Sequence, residues 1–154
     1  EENNLFPSQN VHYLVSDGFF DENSKFNLDI SKSIPNTKNI MISCVLIAVY
    51  MGFKEIYLLG CEHDFLAYPT NYEWSPHFYK NDDFDINNPE DVKKYNLTVT
   101  SYETAITHAG KLFRNYRLLK EKLSKEKPEV KIYNATPNSF LDVFPFVKYE
   151  DLIS

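Results

Sequence analysis

Residues 37–65 read TKNIMISCVLIAVYMGFKEIYLLGCEHDF, and this stretch decides the fold. Residues 40–51 are nearly all apolar, which predicts a helix over about 39–51 that is covered on both sides. Gly52 can adopt the left-handed conformation that ends a helix. The β-branched and aromatic run over about 54–60 then predicts a buried parallel strand. The stretch is therefore typical of one helix–turn–strand unit of an α/β sheet.

Ionisable side chains follow this strand directly. Glu62, His63 and Asp64 come just after Gly60 and Cys61. Ligands of open α/β sheets bind beyond the carboxyl ends of the strands, so these three side chains fall where a substrate usually lies. They could supply a general base, a metal ligand or a ribose-binding carboxylate. The competing interpretation is a solvated loop.

A second helix and a second strand are predicted further along the chain. Apolar residues from Ala105 to Leu123 recur at three- and four-residue spacing, which predicts an amphipathic helix that begins near Ser101 and ends before Pro128. Residues 130–133 then predict a strand. Two successive helix–strand units indicate an α/β fold with a parallel sheet flanked by helices.

Polar residues also follow the second strand. Their side chains are amides and hydroxyls, which could bind a base or the hydroxyls of a sugar. Such residues are equally common in turns that bind nothing. They are Asn134, Thr136, Asn138 and Ser139. At the other end of the chain, residues 11–16 predict a strand, and a polar loop is predicted from there to about residue 39.

The segment 62–100 has no sustained period, which is typical of a functional lid or of disorder. Its aromatic content favours a lid. His77 lies within it; an imidazole can take a hydroxyl proton near neutral pH, although a histidine in an aromatic patch is often structural. The acidic run 81–85 could hold a divalent ion, but most such runs are simply solvated. The aromatic residues of this segment include Tyr68, Tyr72, Trp74, Phe78, Tyr79 and Phe84.

Composition excludes several classes of function. The 154 residues fit a single domain, 1–154, and carry a formal net charge of −6 with no basic stripe, so nucleic acid is not expected as a partner. None of the four glycines belongs to a nucleotide-binding glycine motif. Two isolated cysteines favour a reducing compartment, the cytoplasm. The longest apolar run is too short to span a bilayer, so no transmembrane segment is expected.

The residues 47–62, IAVYMGFKEIYLLGCE, resemble bacterial lipooligosaccharide sialyltransferases of glycosyltransferase family 42. They are also similar to related surface-polysaccharide glycosyltransferases and, more distantly, to archaeal pterin diphosphokinase-like proteins. A second similarity is the Pro-Asn-Ser sequence at 137–139, after the second predicted strand. The resemblance covers about residues 38–65 and 100–142, and the lid between them matches poorly.

The resemblance implies a Rossmann-like fold and a glycosyltransferase that takes a nucleotide-activated sugar, CMP-activated in the sialyltransferases, and transfers it to a cell-surface glycan. It implies no metal and no other cofactor. Glu62 matches the strand-end acid, Tyr68 and Tyr72 match tyrosines that contact the donor phosphate, and His77 is the lid histidine that would act as the base. Glu62 and His77 are thus the predicted catalytic residues. The predicted substrate-binding residues are His63, Asp64, Tyr68, Tyr72, Asn138 and Ser139.

The chain departs from these families in two places. Their N-terminal strand has no counterpart here, so we expect the chain to be the C-terminal part of a longer enzyme of lipopolysaccharide synthesis. That enzyme would act in the bacterial cytoplasm, with peripheral association at the inner membrane face. In addition, residues 40–43 replace the Thr-Ser-Gly of the sialyltransferases. The alternatives are diphosphate transfer to a pterin, which would use Mg²⁺, and a non-catalytic carbohydrate- or protein-binding module.

Overall fold

The computed structural model describes residues 12–23, 26–37, 39–64 and 102–153. Within these ranges the chain forms parallel strand pairs together with helices, so the predicted α/β class and the predicted parallel pairing are confirmed. Most of the predicted lid, including Tyr68, Tyr72 and His77, lies outside the described residues. The elements in chain order are β1 (Ser16–Phe19), β2 (Ile34–Asn36), α1 (Ile40–Tyr50), β3 (Glu55–Leu58), α2 (Tyr102–Glu126), β4 (Lys131–Asn134) and a 3-10 helix (Tyr149–Leu152).

The chain divides into two compact units. The first comprises residues 1–56 and 115–131, and the second comprises residues 57–114 and 132–154. Each has its own apolar core. That of the first includes Ile34, Ile42, Leu46, Tyr116 and Leu119, and that of the second includes Leu58, Ala109, Ile132, Leu141 and Phe144.

Helix α1 of the first unit buries one stripe only. The side chain of Asn39 accepts a hydrogen bond from the amide of Met41 at 2.7 Å and so caps the helix. The opposite side carries apolar residues that are exposed, Ile40 at 74% and Tyr50 at 52%. The prediction of a helix covered on both sides is therefore wrong for the described structure, because the buried residues keep the spacing of a single face: Ile42, Val45, Leu46 and Val49.

The second half of α2 packs in the same unit. Tyr116 and Leu119 are fully buried, and the hydroxyl of Tyr116 lies 3.4 Å from Oδ1 of Asn39. Asn115 is also buried and donates through Nδ2 to the carbonyl oxygen of Thr37 at 3.2 Å. The segment before α1 is thus tied to α2 by polar side chains, which leaves few of its buried polar atoms without a partner.

The N-terminal strands differ from the prediction. A strand was expected over 11–16, but β1 begins at Ser16, where that strand should have ended. Strand β2 falls in the predicted loop, and its register pairs Ser16 with Ile34. Ile34 is buried and its amide donates to the carbonyl oxygen of Val15 at 2.8 Å. Three residues carry too little periodic signal to be distinguished from a loop, so this strand depends on its tertiary contacts.

Strands β3 and β4 form the sheet predicted from the two helix–strand units. The amide of Lys131 donates to the carbonyl oxygen of Lys54 at 2.7 Å, and the amide of Ala135 donates to the carbonyl oxygen of Leu58 at 2.8 Å. From the first of these bonds to the second, the donor and the acceptor both move four residues toward the C-terminus, so the strands are parallel. Asn134, the last residue of β4, also forms a parallel bridge with Phe146.

Strand β3 is not the fully buried strand that its composition predicts. Leu58 is 2% exposed, whereas Tyr57 is 41% and Leu59 55% exposed. The ring of Tyr57 stacks on that of Tyr133 at a centroid distance of 5.3 Å. One face of this short sheet is therefore apolar yet accessible, as in a sheet with only one face packed on a core.

No helix among the described residues combines the length and the apolar character that crossing a bilayer requires.

We expect Asn39→Ala to destabilise the chain by about 1 kcal/mol, because the amide of Met41 loses its capping acceptor. The measurement is the free energy of unfolding in urea. Asn39→Asp keeps the acceptor and should remain near the parent. Asn23→Ala, at an exposed position, is the matched control. Equal stabilities for Asn39→Ala and Asn23→Ala would contradict the capping role.

Candidate functional site

The candidate site lies in the second unit, where β3 and β4 end side by side. Gly60 turns the chain after β3 with φ +72°, and Cys61 beyond it is 1% exposed. After β4 the backbone passes through Ala135 and Thr136, which are both buried. The carboxyl ends of two parallel strands thus meet at one edge, which is where ligands of open α/β sheets bind.

Beyond β3, hydrogen bonds from the turn after β4 hold Cys61 and Glu62, and we refer to the following three together as the strand-end clip. The amide of Cys61 donates to Oγ1 of Thr136 at 3.0 Å. The hydroxyl of Ser139 donates to the carbonyl oxygen of Cys61. The amide of Phe140 donates to the carbonyl oxygen of Glu62 at 2.7 Å. The clip fixes the backbone that leads into His63, because both the amide and the carbonyl of Cys61 are held.

Asn134 anchors the β4 side of the clip and is completely buried. Its Nδ2 donates to Oγ of Ser139 at 3.0 Å and to the carbonyl oxygen of Leu141 at 2.9 Å. Its Oδ1 accepts from the amide of Thr136 at 2.9 Å. One carboxamide therefore closes the whole turn over 134–141, and each of these bonds satisfies a polar group that lies in or near the core.

His63 directly follows Cys61 and Glu62, the two residues that the clip holds on the β3 side. Its backbone is left-handed, with φ +53°, its side chain is half-buried, and its ring lies 6.0 Å from that of Phe113 on α2. Burial lowers the pKa of His63, while a hydrogen bond to the backbone of Cys61 and the charges of Glu62 and Asp64 act in the opposite direction. The net shift of the pKa is downward, which favours the neutral imidazole over the protonated one.

The flanking residues differ in exposure. Glu62 is exposed, Asp64 is half-buried, and Asn138 is exposed with φ +56°. Asparagine and histidine are both enriched in this left-handed conformation compared with other non-glycine residues, although it is uncommon for either. Backbone strain of this kind costs about 1–3 kcal/mol and clusters at functional sites. Here it occurs at the ends of two neighbouring strands.

The structure brings together five of the sequence-predicted residues at one edge of the sheet: Glu62, His63, Asp64, Asn138 and Ser139. Ser139 was expected to bind substrate, but its hydroxyl is hydrogen-bonded to protein groups. It donates to the carbonyl oxygen of Cys61 and accepts from Nδ2 of Asn134 and the amide of Leu141. Phe113 was not predicted as a neighbour of His63. The helical periodicity places it on α2, but no pattern in the sequence indicates which residue it contacts. The predictions for Tyr68, Tyr72 and His77 fall outside the described ranges.

The two cysteines lie in different environments. Cys61 is buried, and burial together with the charge of Glu62 raises its pKa to about 11. Cys44 is exposed on α1. Among residues 12–23, 26–37, 39–64 and 102–153, no three His, Cys, Asp or Glu side chains lie close enough together to hold a metal ion.

We expect Thr136→Val to destabilise the chain by about 1–3 kcal/mol, because it leaves the buried amide of Cys61 without its acceptor. The same amide should lose protection against hydrogen exchange, which NMR measures directly. Thr136→Ser keeps the hydroxyl and should retain that protection. An unchanged exchange rate in Thr136→Val would show that the clip does not hold Cys61.

We also expect iodoacetamide to modify Cys44 well before Cys61 in the native chain. With a pKa of about 11, on the order of one Cys61 thiol in a thousand is ionised at pH 8, and only the thiolate reacts. Mass spectrometry of the labelled peptides measures the order. In urea both thiols should react alike, and equal rates in the native chain would contradict the buried position of Cys61.

Comparisons of this chain with models of known protein families, with curated proteins and with solved structures find no match.

Proposed function

We propose that this chain is a glycosyltransferase domain that transfers a sugar from a nucleotide-activated donor to a cell-surface glycan acceptor. The observation that supports this most strongly is the meeting of an acid–histidine–acid run, Glu62, His63 and Asp64, with the turn at Asn138 on one edge of a parallel sheet. The resemblance of residues 47–62 to family 42 glycosyltransferases supports it independently. The proposal includes a Rossmann-like architecture for the sheet to which β3 and β4 belong.

The geometry suits a donor with hydroxyl groups. Glu62 is an exposed carboxylate at the strand end and can accept hydrogen bonds from ribose or sugar hydroxyls. Asn138 offers a carboxamide from the neighbouring strand end and is also exposed. A carboxylate and a carboxamide that project from one rigid edge are a precise arrangement for orienting a sugar, because neither depends on the conformation of a long loop.

The proposed chemistry is displacement at the anomeric carbon. His77 takes the proton of the acceptor hydroxyl, the acceptor oxygen forms a bond to the anomeric carbon, and the bond from that carbon to the donor phosphate breaks. The nucleotide leaves with the electron pair of that bond. Tyr68 and Tyr72 bind its phosphate in this proposal, and neither a metal ion nor another cofactor takes part.

The setting of the reaction is proposed with it. The chain would belong to a bacterial enzyme of lipopolysaccharide synthesis that works in the cytoplasm, in peripheral contact with the inner membrane. Its acceptor would be a growing glycan at that surface. Such an enzyme requires no contact with nucleic acid, in agreement with the net charge of −6.

We expect Glu62→Gln to weaken binding of a nucleotide-activated sugar at least tenfold, because a charged acceptor of hydroxyl hydrogen bonds is lost. Saturation-transfer NMR and calorimetry with CMP-sialic acid, and then with other nucleotide sugars, measure this on the chain as it stands. Glu129→Gln, at an exposed turn, is the matched control. Binding of no nucleotide-activated sugar by the parent chain would refute the proposal.

For transfer, we expect His77→Ala to lower the rate by about 10²–10⁴-fold with donor binding retained, as for loss of a general base. The assay follows sugar transfer to a lipooligosaccharide acceptor. His108→Ala, on an exposed face of α2, is the control. Parent-like transfer by His77→Ala would remove that residue from the mechanism. A requirement for Mg²⁺ and ATP would favour diphosphate transfer instead.

A further inference from the structure

Helix α1 carries a second apolar stripe on the side opposite its buried residues. Because successive residues of a helix are turned by about 100°, four side chains fall on this opposite side. They are Ile40, Cys44, Ile47 and Met51, and we refer to them as the outer stripe. Ile40 is 74% and Met51 67% exposed. Cys44 is also exposed, and Ile47 is half-buried.

The outer stripe has the spacing of a seam between two helices. Its members follow one another at intervals of four, three and four residues, the alternation that places apolar side chains along the contact line of two packed helices. A helix side that faces water normally carries charged residues, but residues 40–51 include no Asp, Glu, Lys, Arg or His. The stripe therefore suits contact with another apolar helix better than contact with water.

The apolar surface around the stripe is large enough for an interface. Beside Ile40 and Met51, Tyr50 is 52% and Phe53 54% exposed. Since a fully exposed side chain of this size presents on the order of 200 Å², these four residues expose roughly 500 Å². A patch of that size is typical of an interaction site. Two copies of it would together bury about 1,000 Å², which is the lower limit for a specific interface.

Charge distinguishes between the possible partners of this surface. A helix that lies on an anionic membrane carries Lys or Arg on a polar face, whereas α1 has neither and the chain has a net charge of −6. An uncharged stripe can meet its own copy without bringing like charges together. The commonest soluble oligomers are two-fold dimers, in which one patch contacts the same patch of the partner. A second copy of this chain is therefore the partner that fits.

We propose that the outer stripe of α1 is a self-association surface, on which α1 of a second copy packs to form a two-fold dimer. Cys44 lies near the middle of the stripe, so the symmetry brings the two Cys44 side chains close to the dimer axis. Because the interface is near the lower size limit, the dimer dissociates on dilution. The dimer goes beyond the proposed glycosyltransferase function and does not depend on it.

The experiment is sedimentation velocity of the parent chain, Ile40→Glu and Ile153→Glu over about a hundredfold range of concentration. Ile153 is the matched control, because it is an isoleucine that is 69% exposed and lies in the other unit. We expect the parent and the control to pass from monomer to dimer as the concentration rises. Ile40→Glu should associate at least tenfold more weakly, since the interface would bury a carboxylate. A parent that stays monomeric, or equal association by Ile40→Glu, would overturn the proposal.

The substitution is chosen so that the helix is kept. An acidic residue in the first turn is favoured by the helix dipole, so Ile40→Glu should retain the circular dichroism of the parent. If it does not fold, Met51→Lys tests the other end of the stripe, where the dipole favours a cation. Dimerisation of a folded Met51→Lys as strong as that of the parent would then reject the surface.

Cross-linking through Cys44 identifies the surface directly. A short bismaleimide should join Cys44 to Cys44 between two parent chains, and it should do so much less in Ile40→Glu. Cys61 is buried and serves as the internal control. A dimeric parent without this cross-link would have its interface elsewhere, which would contradict the proposal.

A membrane is the remaining alternative for this surface. It is tested by cosedimentation with vesicles of phosphatidylethanolamine and phosphatidylglycerol. We expect no binding by the parent. Binding that Ile40→Glu abolishes and Ile153→Glu retains would replace the dimer by a membrane contact.

Discussion

Both polar backbone groups of Cys61 are engaged by side chains of the turn that follows β4, the amide by Thr136 and the carbonyl by Ser139. Parallel pairing alone aligns β3 with β4 but does not determine the conformation of the residues that follow each strand. The clip extends the alignment past the last ladder hydrogen bond, into residues that would otherwise form an independent loop. The cluster at Glu62 and His63 has a defined shape because a buried carboxamide, Asn134, closes the opposite turn.

The features that could be predicted are those with a strong local signal. Helix α1 begins and ends within a residue of its prediction, because its apolar run is bounded by Asn39 and Gly52. Helix α2 likewise follows its three- and four-residue spacing to Glu126. The parallel direction of β3 and β4 followed from the helices between and before them, since parallel strands need a crossover. The edge of the sheet on which the polar residues lie followed from that direction.

The features that could not be predicted depend on contacts between residues distant in sequence. Strand β2 has three residues and no pattern, and it exists through pairing with β1. The exposed face of α1 looks like core in the sequence because composition records hydrophobicity but not which neighbours are present. Ser139 looked like a ligand-binding hydroxyl, since serine at a strand end fits either a ligand or a turn. Only the three hydrogen bonds of its hydroxyl distinguish the two.

The clip also has a consequence for the order in which the protein forms. Its hydrogen bonds join residues 75 and 78 positions apart in the chain. Closing so long a loop costs chain entropy that no local interaction repays, so these bonds form only once β4 docks on β3. During synthesis, the segment around His63 emerges from the ribosome well before Asn134 and Ser139. It therefore lacks its native hydrogen bonds until Asn134 and Ser139 have been synthesised, so this edge of the sheet takes its final conformation later than the β3 segment itself is made.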